Sequence, residues 1–128
     1  MGLLNNLFGN KQEQQKLNWQ VLNDKNQIDH AIEISIKKPV VIFKHSTRCG
    51  ISRMVLNQFQ NNAMFEEDAV LLLYLDLLNY RDISNEIANR FNIEHQSPQL
   101  IIIKNGKIVH HSAHSAIVPS AVSHILNT

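Results

Sequence analysis

The sequence predicts one α/β domain, a mixed β-sheet flanked by helices in the order βαβαββα, and three observations carry that reading. Residues 40–43 and 70–75 are continuous apolar runs of strand length, and the stretch between them repeats its apolar residues at helical spacing. Strands of that kind, buried on both faces and joined through a helix, lie parallel in a right-handed βαβ unit. Asn105-Gly106 separates two further strand-like runs, and a type I′ hairpin turn favours this pair because both central residues need positive φ. The last two strands are therefore antiparallel.

Composition bounds the answer. With 128 residues, 44% of them hydrophobic, the chain has material for one core and not for two. We assign residues 17–128 to a single domain and residues 1–16 to an N-terminal tail. The formal net charge is +1 and the 12 basic residues are scattered, which argues against a phosphate-tracking surface and against nucleic acid as a partner. A single cysteine excludes an internal disulfide framework and fits a reducing compartment, so a cytoplasmic location is expected. No apolar run approaches the roughly 20 residues that a membrane span needs.

Taken in order, the tail carries Leu3, Leu4, Leu7 and Phe8 at helical spacing, enough for a short amphipathic turn, without the charged front of a secretory signal. Residues 19–22 read as a short edge strand. Asn26 is placed to cap the first helix with Asp29 reaching back to it, and Ile28, Ala31, Ile32, Ser35 and Ile36 form the inward face. Pro39 disfavours helical geometry at Lys38, which ends that helix and opens the strand over residues 40–44. The helix after Cys49 runs to about Gln60. Asn79 is placed to cap the next helix, whose stripe is Ile83, Ile87, Ala88 and Phe91; Arg81 and Asp82 read as its charged first turn. Strands over residues 100–103 and 107–111 flank the hairpin, and Pro119 begins a last helix with Val118, Val122, Ile125 and Leu126 inward.

The only cysteine lies where the period changes from strand to helix. A cysteine at such a junction meets the free N–H groups of a helix N-terminus, whose partial positive charge favours thiolate over thiol, and Cys49 is thereby a nucleophile candidate. The alternative is a buried cysteine acting as a small apolar filler. Its neighbours Ser46, Thr47, Arg48, Gly50 and Ser52 are small, polar or charged and favour an exposed loop, with Arg48 adding positive charge. Ser52 stands where a Cys-x-x-Cys pair has its resolving thiol. His45 has two readings: an imidazolium or proton carrier serving the sulfur, or a strand-end residue half in solvent. His110 and His111 are strand neighbours that point to opposite faces, so together with His114 they do not make a metal site.

Lys44-His45-Ser46-x-x-Cys49-x-Ile51-Ser52, followed by Arg81-Asp82-Ile83-Ser84, His95-x-Ser97-Pro98-Gln99, the Asn105-Gly106 turn and His114, resembles the YtxJ-like monothiol bacilliredoxins of bacteria. The similarity covers roughly residues 27–126, and one departure matters: the family usually shows Cys-Pro-Ile-Ser, and this chain has Gly50 in place of the proline. The resemblance implies a thioredoxin-like fold in which Pro98 is cis and faces the cysteine. Ser97 would then offer its backbone to an extended substrate segment, Gln99 and His95 would line the groove, and His114 would stand at its rim. It also implies Cys49, Ser52 and His45 as the catalytic set, with Arg48, Gly50, Ser97, Pro98, Gln99 and His114 binding substrate. Ser52 would donate a hydrogen bond to the thiolate.

The implied activity is monothiol thiol–disulfide exchange that removes bacillithiol from client proteins. Bacillithiol is then a co-substrate, no tightly bound cofactor is expected, and a flavoprotein bacillithiol-disulfide reductase acts indirectly. Two alternatives belong to other classes: an iron–sulfur cluster carrier of the monothiol glutaredoxin type, and a thiol sensor or docking module that does not turn over.

Overall fold

The structure, a computed structural model, describes residues 16–128. The expected amphipathic turn at Leu3, Leu4, Leu7 and Phe8 lies outside the described residues. Five strands form one sheet: β1 (Gln20–Val21), β2 (Val40–His45), β3 (Leu71–Asp76), β4 (Gln99–Lys104) and β5 (Lys107–Ala113), in the spatial order β1-β3-β2-β4-β5. The helices are α1 (Asn26–Ile34), α2 (Gly50–Asn61), α3 (Arg81–Phe91) and α4 (Ser120–Leu126). From β2 onward the order is βαβαββα, as expected, with β1 and α1 preceding it.

The central strand explains the apolar runs. All six residues of β2 are buried, because β3 and β4 pair with its edges and helices cover both faces. Val41 and Phe43 pack with Val55, Leu56 and Phe59 of α2 and Val122 of α4 on one face. Val40 and Ile42 pack with Ile28 and Ala31 of α1 and Ile83 and Ile87 of α3 on the other. Truncating Phe43 to alanine at such a site costs about 3–5 kcal/mol.

Register positions the site. β2 runs parallel to β3, from Val40 opposite Leu71 to His45 opposite Asp76, and antiparallel to β4, where Lys44 faces Gln99. The loop that leaves β2 toward Cys49 and the segment that enters β4 after Pro98 therefore meet at the same end of the sheet. The hairpin is as expected, with Asn105 at φ 55° and Gly106 at φ 79°. Its turn is latched to the end of α1, where Ser35 Oγ accepts the Gly106 N–H at 2.9 Å and the Ser35 carbonyl accepts the Asn105 N–H at 2.8 Å.

Four local expectations need correction. Neither Asn26 nor Asn79 caps a helix: Asn26 is already the first residue of α1, where its N–H donates to Asp24 Oδ1, and the Asn79 side chain donates to Asp76 Oδ2. Asp24 thus takes the first N–H of α1, and the Asn79 amide is held by Asp76 upstream of α3. Ile36 and Val118 are exposed, because α1 ends at Ile34 before the chain turns and Val118 precedes α4.

Candidate functional site

Cys49 is the residue immediately before α2, in extended conformation, with its carbonyl accepting the Arg53 N–H of the first turn. The first N–H groups of α2 have no partner within the helix, and their dipoles favour an anion at this position. Cys49 is a partly exposed residue and makes no disulfide. The small-filler reading therefore gives way to an accessible thiol at a helix entrance. Arg48 and Gly50 flank it and are both exposed, as are Ile51 and Met54 on the outer face of α2.

Behind the thiol, strand alternation turns His45 inward on the same face as Val41 and Phe43. It is 3% exposed, and its Nδ1 lies 2.7 Å from Ser52 Oγ. Burial pushes the imidazole down to about 4, against the opposing pull of the Asp76 carboxylate and with a smaller contribution from the Arg53 cation. His45 is therefore a neutral ring at neutral pH, so it is not an imidazolium beside the sulfur, and its burial rules out the half-solvated strand end. Ser52 is fully buried, and its Oγ also accepts the Ser46 N–H at 3.1 Å. The expected hydrogen bond from Ser52 to the sulfur is not formed. Instead the serine holds the loop to the strand.

On the facing side the Ser97–Pro98 peptide bond is cis. The Pro98 carbonyl accepts the backbone N–H of His114 at 3.1 Å, which brings His114 to this end of the sheet as an exposed residue in left-handed geometry at φ 57°. Gln99 does not line a groove: it is 1% exposed, and its Nε2 donates to the Glu94 carbonyl at 3.0 Å. Ser97 Oγ and Gln99 Oε1 are buried without a hydrogen-bond partner among the described residues.

Sequence reasoning gave no role to Lys44 or Ser84, and it expected His95 on the groove wall, where the structure instead shows it half-buried against both. Lys44 is buried on the opposite sheet face from His45, with Nζ 3.3 Å from His95 Nδ1 and 3.5 Å from the Ser84 carbonyl oxygen. Ser84 Oγ lies 3.0 Å from the same ring nitrogen. Burial lowers the Lys44 amine to about 8, and burial, Lys44 and Arg81 together lower His95. The available signal was the alternation itself, since Lys44 continues the inward series Val40 and Ile42.

A family model described as monothiol bacilliredoxin BrxC matches residues 20–122. A solved structure described as an oxidoreductase with a thioredoxin fold is 30% identical, with a TM-score of 0.70 over 84% of this chain and 92% of its own. Thioredoxin from Malassezia sympodialis is 22% identical, with a TM-score of 0.63 over 86% of this chain and 89% of its own. Thioredoxin from Schistosoma mansoni is 21% identical, with a TM-score of 0.62 over 86% and 94%. At those identities the two thioredoxins speak for the fold alone.

Proposed function

We propose that this chain, which belongs to the monothiol bacilliredoxin family and is a thioredoxin-fold redox protein, removes bacillithiol from protein mixed disulfides through Cys49. The observation that carries this reading is the placement of the single cysteine. It is accessible at the entrance of α2, while Ser52 occupies the position a resolving thiol would need.

The thiolate of Cys49 attacks the bacillithiol sulfur of the mixed disulfide. A sulfur–sulfur bond forms between Cys49 and bacillithiol, the client's disulfide breaks, and the client sulfur leaves as a thiolate that takes a proton from water. Because Ser52 cannot attack the new bond, a second bacillithiol thiolate must do so, releasing bacillithiol disulfide and free Cys49. A flavoprotein reductase then returns that disulfide to two thiols. Ser97, in the segment that precedes β4, supports an extended client segment by backbone pairing. Arg48 and Gly50 border the thiol, and His114 stands at the rim through its bond to Pro98.

The test is release of bacillithiol from a bacillithiolated client with excess bacillithiol present. The wild-type protein turns over many times and Cys49→Ser does not; a Cys49→Ser variant with full activity would end the proposal. One release per chain would identify a sensor, and equal rates with glutathione would remove bacillithiol as the preferred thiol.

A further inference from the structure

The exchange chemistry leaves unused a polar cluster at the cysteine end of the sheet, in which Lys44 and Ser84 are fully buried and His95 is half-buried. Lys44 is 0% exposed, and among the described residues no carboxylate pairs with it. An unpaired ammonium in such a place is costly, and an apolar side chain would fill the volume better. The geometry shows what the amine does there. It spans three elements, from β2 to the Ser84 carbonyl of α3 and to His95 in the segment entering β4.

The contact also fixes a proton. An ammonium carries only donors, so the His95 nitrogen facing it at 3.3 Å is the acceptor and the ring proton sits on Nε2. Ser84 Oγ lies 3.0 Å from the same nitrogen, and its hydroxyl is able to donate to it as well. The neighbouring strand residue completes the arrangement: Gln99, opposite Lys44 in the ladder, donates to the Glu94 carbonyl. Residues 94–98 are thus fastened through Glu94 and His95 just before Ser97 and Pro98.

We propose that Lys44 is a positioning residue: its ammonium docks His95 as the Nε2–H tautomer and thereby fixes residues 94–98, with the Ser97 backbone, beside the cysteine loop for an incoming substrate strand. This rests on the proposed reading of that end of the sheet as the client site. The lowered basicity of the amine is a consequence of the burial that the contact demands.

The experiment uses the full chain, with Lys44→Met as the variant of similar length that lacks donors. Nitrogen NMR of His95 in the wild-type protein at neutral pH is expected to show an unprotonated Nδ1, and the variant is expected to move the proton to Nδ1, where Ser84 Oγ accepts it. For a bacillithiolated client, KM is expected to rise about five-fold, the loss of one hydrogen bond, with kcat and the alkylation rate of Cys49 nearly unchanged. A wild-type His95 protonated on Nδ1 overturns the proposal whatever the variant does. So does a variant with unchanged tautomer, or with unchanged KM. Wild-type protein that releases no bacillithiol would count against the proposed function, while the NMR result would still decide the Lys44 contact.

Discussion

His45 Nδ1 and Ser52 Oγ lie 2.7 Å apart in a site closed to solvent, so the last residue of β2 and the first turn of α2 are tied together behind the cysteine. The serine also takes the Ser46 N–H, and one hydroxyl therefore serves the strand, the loop and the helix. Ser52→Ala removes that hydroxyl and leaves the buried His45 nitrogen and the half-buried Ser46 N–H unpaired, which costs about 1–3 kcal/mol of stability. Because Ser52 does not touch the sulfur, alkylation of Cys49 at neutral pH is expected to stay close to the wild-type rate. Urea unfolding and an iodoacetamide time course check the two halves, and a collapse of alkylation with unchanged stability would contradict this assignment.

The same pair makes the fold sensitive to acid. The folded-state value of His45 is about 4 and the reference value is 6.5, so between these limits the unfolded chain binds the extra proton. Stability is then fully present above 6.5 and declines as pH falls toward 4. At about 1.4 kcal/mol for each pH unit of separation, the total loss is at most roughly 3.5 kcal/mol. His45→Gln, which cannot titrate, should lower stability at neutral pH yet flatten the decline. Urea midpoints measured across that range for both proteins check this; parallel curves would mean that other groups carry the acid sensitivity.

Much of this arrangement was legible before any coordinates. Apolar runs fixed β2 and β3, the Asn105-Gly106 pair fixed the hairpin, and the change of period placed Cys49 at a helix entrance. What escaped was partner choice among polar side chains, which depends on elements distant in sequence. Ser52 lies near Cys49 in the chain, but its hydroxyl goes to His45 because strand alternation buries that ring directly behind α2. Lys44 and His95 are 51 positions apart and meet only because β2 pairs with β4, which no local pattern reveals. Capping failed for a local reason: Asp24 takes the Asn26 N–H, and the Asn79 amide is drawn back to Asp76.

Gly50 stands where the resemblance expects a proline, and an added side chain has room there. Gly50 is the first residue of α2, where a missing N–H costs nothing, and an added Cβ would meet no atom within 4 Å. Gly50→Pro should therefore fold normally and gain about 0.4–1 kcal/mol by restricting the unfolded chain. Thermal or urea unfolding reads the gain. A destabilised variant would mean that the Gly50 N–H or its backbone angles are needed for the cysteine loop.

Lys44 supplies the opposite case, a residue whose position works against stability. The amine releases its proton near pH 8 in the folded chain and near 10.5 when unfolded, so between those values the unfolded state binds more protons and stability rises with pH. The burial penalty is fully present below pH 8 and disappears above 10.5. Lys44→Met removes the charge and should be more stable than the wild type at neutral pH by about 1–3 kcal/mol, less whatever the unpaired His95 and Ser84 take back. The difference should shrink in alkaline buffer as the wild-type amine loses its proton. A stabilised variant that binds a bacillithiolated client less well would show stability given up for function at this position. Urea midpoints at neutral and alkaline pH measure the first part, and a variant less stable than wild type at both would show that the lysine contributes more to the fold than its isolation implies.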